Sequence, residues 1–168
     1  MFDVNTKLDP DFSAGGGAGP AAAVSEIQGV ARSRLLTVSP SAHLMEVAAL
    51  LSNAQISVVV VCNAEGQVLG TITETMLVRQ LGLGQADFFE TRAAAVMTPN
   101  VAVCAPTDSL VKVLSTMHLQ GWIHVVMADA SNKAVGVVNV RDGLRALLNA
   151  GTHEQALLRN YVMGVGYQ

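Results

Sequence analysis

Apolar and polar positions along this chain follow one pattern that occurs twice. Apolar residues recur every three or four positions over residues 44–51, and the same spacing returns over residues 110–117. Each stretch follows a proline, Pro40 or Pro106. A period of three to four residues places the apolar side chains on one helical face, so two amphipathic helices of about three turns are predicted.

A predicted hairpin follows each of these helices. The runs are rich in valine and bounded by turn residues, which is typical of buried strands. At the turns, Gly66 and Asn132 occupy equivalent places, and both residue types readily take a left-handed conformation. The four predicted strands cover residues 57–62, 68–72, 123–128 and 134–138.

Each copy has the predicted order strand, helix, strand, strand, helix. Shifting residues 38–79 by 66 positions places them on residues 104–145 without a gap. Such a repeat indicates two small units that pack together, with a cleft between them suited to a ligand. The remaining predicted elements are leading strands at 35–38 and 101–104 and helices at 74–83 and 140–149.

The repeat defines the domain boundaries. Residues 1–30 lack a periodic apolar face and include a glycine-rich run, so we expect a flexible N-terminal arm that can gain a short helix near residues 24–30. We expect the first unit over residues 31–88 and the second over residues 89–149. A C-terminal helix and tail are expected over 150–168, with the helix at 153–163.

Composition narrows the classes of function. The net charge of −3, with scattered basic residues, argues against nucleic-acid binding. No apolar run approaches the length of a membrane span, and no secretory signal precedes the repeat, so a cytoplasmic protein without membrane contact is expected. Hydrophobic residues make up 51% of the chain and charged residues only 14%. This imbalance favours a homodimer that buries part of its apolar surface.

Catalytic and metal-binding patterns are missing from the sequence. It contains neither a nucleophile elbow nor a phosphate-binding loop, so we expect no enzyme and no required cofactor. The four histidines and two cysteines show no zinc spacing, so no metal site is expected. Cys62 and Cys104 occupy non-equivalent places in the two copies and are expected to be free and buried.

The repeat resembles a known family at several segments. Its element order, the linker Val96-Met97-Thr98, and the segments 70–73 and 136–142 are similar to those of tandem CBS-domain proteins, named after a domain of cystathionine β-synthase. The resemblance covers residues 31–149. The chain is similar in plan to the short stand-alone CBS-pair proteins of bacteria. It implies an α/β (α+β) fold in which two pseudo-symmetric β-α-β-β-α units pack through their sheets.

The resemblance also implies a regulatory role. Members of the family commonly bind AMP, ADP, ATP, NAD or S-adenosylmethionine in the cleft between the units, and two pairs usually form a disc-like dimer. A sensor of this kind acts through a regulated protein, which the sequence does not identify. A ligand can shift the arrangement of the dimer only if it binds one arrangement more tightly than the other. The alternative is a dimeric interaction module whose nucleotide sites have degenerated.

The family's ligand motif places Thr or Ser three residues before Asp. The first copy has Thr73 but Met76 at the Asp position, whereas the second has Asn139 but Asp142. A carboxylate accepts hydrogen bonds from both ribose hydroxyls, and a thioether does not. The second site is therefore the expected nucleotide site, and the first is expected to bind nucleotides weakly or not at all.

The resemblance implies roles for further residues around the second site. Val101 and Ile123 would contact the adenine, and His124 and Arg141 would lie near a phosphate. Simpler roles remain open for several candidates. Asp142 and Thr73 each suit a helix cap, His124 suits a buried core position, and Arg141 suits a solvated surface.

Overall fold

Two three-stranded sheets with flanking helices form the structure, a computed structural model that describes residues 22–54, 56–84 and 87–151. A 3₁₀ turn at Val24–Ile27 leads into α1 (Gln28–Ser33). The first unit contains β1 (Thr37–Val38), α2 (Leu44–Ala54), β2 (Val58–Cys62), β3 (Val68–Thr73) and α3 (Glu74–Gly82). After the short α4 (Ala93–Val96), the second contains β4 (Val103–Cys104), α5 (Leu110–Gln120), β5 (His124–Ala128), β6 (Ala134–Asn139) and α6 (140–151).

This order matches the predicted elements within both repeats, although the leading strands are only two residues long. The predicted 153–163 helix and residues 1–21 of the expected arm lie outside the described residues.

The two sheets have the same topology. In each, a short leading strand pairs in parallel with the central strand, which pairs antiparallel with the last strand. The register is also repeated, since Val60 lies opposite Thr71 and Val126 opposite Val137. The turns are as predicted, because Gly66 has a φ of 84° and Asn132 a φ of 60°.

Alternation along the central strands decides what each face covers. In β2, Val59 and Val61 pack beneath the helices of the first unit, whereas Val58 and Val60 face the other sheet. Hydrogen bonds also join the two hairpins: Val68 N donates to Asn132 O at 3.0 Å, and Ala134 N to Gly66 O at 3.1 Å. The units therefore pack through their sheets. The shared core contains Ile56, Val58, Val60, Cys62, Val101, Val126 and Val137.

The segment before the first unit differs from expectation. Residues 22–30 do not form a free arm, because Val24 is fully buried and, with Ile27 and Ala31, belongs to the core of the second unit. Spacings of three and four residues put these three side chains on one face. Helix α1 crosses β6 with Ala31 next to Gly136. A Cβ atom added at Gly136 would lie 2.9 Å from the Ala31 Cβ.

The connection between the units makes the reciprocal contact. Ala93 is buried in the core of the first unit, and the Met97 side chain packs against β3 at Gly70. Each leading segment thus packs on the opposite unit. These exchanged contacts, with the shared core, explain how two such small units form a stable pair.

Both cysteines are free and buried, as predicted. Burial raises the pKa of the Cys62 thiol and, with a smaller contribution from Asp108, raises the pKa of Cys104 to about 12. Within the described ranges, no helix is long and apolar enough to cross a membrane.

Candidate functional site

Two cavities of similar size lie between the units. The Thr73 cavity has a volume of about 320 Å³, at the lower end of the range for small-molecule sites, and the Asn139 cavity has about 250 Å³, slightly below that range. The walls of the Thr73 cavity include Ser57, Thr71, Thr73, Val101, Trp122 and Ile123. Those of the Asn139 cavity include Arg34, Ser57, Ile123, His124, Asn139 and Arg141.

The offset of 66 residues relates the two cavities. Ser57 and Ile123 are equivalent positions, and both line both cavities. Thr73 in one cavity corresponds to Asn139 in the other. The pair of cavities therefore follows from the duplication, and any difference in chemistry comes from the substitutions between copies.

Asn139 organises the second cavity. It precedes α6, and its Oδ1 accepts a hydrogen bond from Arg141 N at 2.9 Å, which caps the helix. That bond directs the Asn139 Nδ2 towards His124 Nε2, 3.1 Å away. An amide N–H only donates, so His124 Nε2 accepts. The Ser57 Oγ lies 3.3 Å from the same nitrogen.

His124 is consequently neutral at physiological pH. Burial lowers its pKa, and the nearby positive charge of Arg34 lowers it further. Protonation at Nε2 would place an N–H against the Asn139 amide N–H and lose that hydrogen bond. His124 is therefore an acceptor within the wall of the cavity rather than a second positive charge.

Asp142 has a partner that the sequence did not indicate. The Arg34 Nη2 donates to Asp142 Oδ1 at 3.0 Å, and the Arg34 Nε donates to Oδ2. This bidentate pair raises the pKa of Arg34, chiefly through the hydrogen bond. Asp142 does not supply the α6 cap, because Asn139 does.

Thr73 caps α3. Its Oγ1 accepts a hydrogen bond from Met76 N at 3.4 Å. The Met76 Sδ in turn accepts a hydrogen bond from Thr98 Oγ1 at 3.7 Å. The Thr73 cavity thus has no carboxylate at the position equivalent to Asp142.

The structure divides the predicted site residues between the two cavities. Asn139 and Arg141 line the Asn139 cavity, Thr73 lines the Thr73 cavity, and Ile123 and His124 line both. Val101 instead lines the Thr73 cavity, because the segment before β4 packs against the sheet of the first unit. The expected contact of Val101 with a ligand beside Asp142 therefore does not fit this geometry.

Three wall residues were not anticipated: Arg34, Ser57 and Trp122. Comparison of the two copies could have indicated Arg34. At the equivalent positions of the other copy, Asn100 replaces Arg34 and Met76 replaces Asp142. Both members of the ion pair are thus replaced in the other copy. Ser57 was detectable as the equivalent of the predicted residue Ile123.

Comparisons with known proteins agree with this architecture. A family model described as the CBS domain matches residues 24–82 and 93–149. The chain is 26% identical to a CBS-domain containing protein from Agrobacterium tumefaciens, with a TM-score of 0.65, and the match covers 74% of this chain and 98% of that structure. It is also 24% identical over 142 residues to an uncharacterized 17.7 kDa protein from Acidianus ambivalens, covering 84% of this chain and 85% of the relative.

Two structures with bound ligands share the fold. The CBS domain pair of protein MJ0100, solved in complex with 5′-methylthioadenosine and S-adenosyl-L-methionine, is 21% identical with a TM-score of 0.67, and the match covers 78% of this chain and 99% of that one. CBSX2 in complex with AMP is 18% identical with a TM-score of 0.66, covering 77% and 98%. The matched repeats, the topology of both sheets and these likenesses lead to one conclusion: the chain belongs to the CBS-domain family and carries two CBS domains in tandem.

Proposed function

We propose that this protein is a regulatory module that binds an adenosine-containing ligand in the Asn139 cavity. The observation that carries the proposal is the combination of a carboxylate at the start of α6 with a polar cavity between the units. Asp142 suits the ribose hydroxyls, and the guanidinium groups of Arg34 and Arg141 suit phosphate oxygens. The complexes of similar CBS pairs with AMP and with S-adenosyl-L-methionine support the same ligand class.

The Asn139 cavity is favoured over the Thr73 cavity on chemical grounds. Arg34, Arg141 and Asn139 provide N–H donors in the Asn139 cavity. The Thr73 cavity instead has threonine hydroxyls, Glu74 and an apolar wall. A phosphorylated ligand gains charge-assisted hydrogen bonds only in the former.

A regulatory role is also proposed in preference to catalysis. Ser57 and His124 lie within hydrogen-bond distance, which superficially suggests a nucleophile and its base. The His124 Nε2 already accepts the Asn139 amide hydrogen, however, so its lone pair is engaged. The same nitrogen is therefore unavailable to take a proton from Ser57 in this arrangement.

The test is a thermal-shift screen against AMP, ADP, ATP, NAD and S-adenosylmethionine, followed by calorimetric titration of each ligand that shifts the melting temperature. A ligand at a hundredfold excess over its Kd adds about 2.7 kcal/mol, which corresponds to roughly 5–10 °C for a chain of this size. Asp142→Ala is expected to abolish the shift. Glu46→Ala, which removes an exposed carboxylate from α2, is the matched control.

The fluorescence of the single tryptophan can show which cavity binds the ligand. Trp122 lines the Thr73 cavity, and the residues described on the wall of the Asn139 cavity do not include it. Calorimetric binding with little change in Trp122 emission is expected. A strong emission change that survives Asp142→Ala would place the ligand in the Thr73 cavity and contradict the proposal.

Signalling through a homodimer is the second part of the proposal. Exposed apolar side chains recur at equivalent helical positions of the two units: Met45 with Val111, and Val78 with Leu144. A duplicated apolar surface suits a symmetric contact with a second copy. Light scattering after gel filtration should give a dimer for the wild type and a smaller species for Leu144→Glu. Val30→Glu, on α1, is the control, and a monomeric wild type would contradict the dimer.

A ligand-free interaction module is the second candidate function. It is favoured by one observation, the engagement of Asp142 by Arg34, together with Met76 at the equivalent position of the other copy. Neither position presents a free carboxylate in this structure. A screen without any thermal shift, from a protein that is nevertheless dimeric, would support this second function.

A further inference from the structure

Arg34 and Asp142 differ in their access to the Asn139 cavity. Arg34 lies on the cavity wall, and the residues described on that wall do not include Asp142. The Asp142 side chain is 11% exposed and that of Arg34 is 30% exposed. A ligand in the cavity therefore meets the guanidinium before it reaches the carboxylate.

Ribose hydroxyls and Arg34 compete for the same atoms. Two N–H groups of Arg34 occupy the two carboxylate oxygens of Asp142. A pair of vicinal hydroxyls would donate to those same oxygens. Each carboxylate oxygen can accept more than one hydrogen bond, but Asp142 is only 11% exposed and Arg34 lies on the cavity wall, so a ribose in the cavity reaches Asp142 only if the guanidinium moves away. That movement exchanges a bidentate charged pair for two hydrogen bonds from neutral groups.

The displaced guanidinium has no anionic partner among the residues described on the wall of the Asn139 cavity. The described wall of the Asn139 cavity contains no carboxylate, and it already contains Arg141. His124 is neutral there and its acceptor nitrogen is engaged by Asn139. An anion on the ligand would give the displaced guanidinium the charge-assisted partner that the described wall does not supply.

We propose that Arg34 is a specificity-determining gate: it closes Asp142 to ligands that carry only a ribose and opens for ligands that carry both a ribose and a phosphate. This inference rests on the proposed function, because it concerns the same cavity. Arg34 reaches Asp142 because α1 crosses the second unit at Gly136, next to the start of α6. In the other copy, Asn100 and Met76 replace both partners of the gate together.

Adenosine and AMP are the matched probes, since they differ only by the phosphate. Their Kd values would be measured by calorimetry for the wild type, Arg34→Gln and Arg34→Lys. The wild type is expected to bind AMP roughly tenfold to a hundredfold more tightly than adenosine, the range for a hydrogen bond to a charged group. Arg34→Gln should bind adenosine more tightly than the wild type and AMP more weakly, so that the ratio falls to the preference that Arg141 alone provides.

Arg34→Lys separates the two roles of the gate. A lysine keeps the charge but not the bidentate geometry, so adenosine affinity should rise while AMP affinity is largely kept. Arg32→Gln is the matched control, because it removes an exposed guanidinium from the same helix. It should leave both Kd values unchanged, and thermal unfolding would establish that every variant is folded.

The outcomes distinguish this inference from the proposed function. If the wild type binds adenosine as tightly as AMP, or if the ratio is unchanged in Arg34→Gln, the gate is overturned while nucleotide binding stands. If the wild type binds neither these two probes nor any ligand of the thermal-shift screen, both proposals are wrong. A ratio that collapses in Arg34→Gln but not in Arg32→Gln supports the gate.

Discussion

The Thr73 and Asn139 cavities have the same construction but different chemistry. Each lies beside the capped start of a helix, α3 or α6, and Ser57 and Ile123 line both. In the Asn139 cavity the neighbouring ion pair and amide network give strong, directional polar contacts. In the Thr73 cavity the corresponding positions hold Met76 and Asn100. The two cavities therefore share one backbone arrangement, and a few substitutions give them different polar side chains.

The two copies agree at the helix cap and differ at the carboxylate. The helix-capping role is kept in both copies, by Thr73 in one and Asn139 in the other. A cap needs only a side-chain oxygen, so several residue types satisfy it. The carboxylate is not part of the cap, and it occurs in one copy only, where it pairs with Arg34.

The largest expected effect concerns the close approaches at Gly136 and Gly70. A Cβ atom at either glycine would lie 2.7 Å from a methionine side chain, Met127 at Gly136 and Met97 at Gly70, and 3.0 Å from a backbone atom. At Gly136 it would also lie 2.9 Å from the Ala31 Cβ, which cannot rotate away, whereas the second contact at Gly70, also at 2.9 Å, is the Cγ of the flexible Met97. Gly136→Ala is expected to lower the free energy of unfolding by about 1–3 kcal/mol, as overpacking does, and Gly70→Ala by less. Urea denaturation of both variants measures the two losses in free energy of unfolding. Equal losses, or a larger loss for Gly70→Ala, would show that α1 moves aside as easily as the Met97 side chain.

The next effect tests the ion pair against its equivalent position. Asp142→Ala is expected to lower the free energy of unfolding by about 1–2 kcal/mol, between the values for exposed and buried pairs. This corresponds to a fall of roughly 2–8 °C in melting temperature. The double variant with Arg34→Gln should cost less than the sum of the single changes, because the two side chains interact. Additive losses in calorimetric unfolding would show that the pair contributes little.

A smaller expected effect is on the pH dependence of unfolding. It concerns His124, whose equivalent in the first unit is Val58, a residue that does not titrate. The pKa of His124 lies below its ordinary value of 6.5 in the folded protein, so between the two values the unfolded chain binds the extra proton. Its contribution to stability is complete above pH 6.5 and is lost as the pH falls below that value. His124→Val should remove this part of the pH dependence of unfolding. An identical pH profile for the two proteins would contradict the assignment of His124 as a neutral acceptor.

The smallest effect compares the buried thiols of the two units. Burial raises both pKa values, and that of Cys104 reaches about 12. Since the thiolate is the reactive species, Cys104 should react with iodoacetamide more slowly than Cys62 in the native protein, by more than about tenfold. Mass spectrometry of timed samples at pH 8 measures both rates, with unfolded protein as the control. Faster labelling of Cys104 would indicate local opening of the second sheet.

Much of the fold was predictable because it depends on local patterns. The helical period over 44–51 and 110–117, the valine-rich strands and the turn residues Gly66 and Asn132 each specify local structure, and the repeat confirms each prediction with a second copy. The exchange of leading segments was not predicted. The apolar face of Val24, Ile27 and Ala31 is short, and a short face does not show which unit it covers.

The candidate site shows the same division. The sequence by itself determined that Asn139 and Asp142 stand at the start of a helix in the second copy and that Met76 stands in place of the acid in the first. Only the tertiary structure decided that Arg34, 108 positions away along the chain, occupies that acid, and that Val101 belongs to the other cavity. Helix starts depend on neighbouring residues, whereas ion pairs and cavity walls depend on which distant segments the packing of two units brings together.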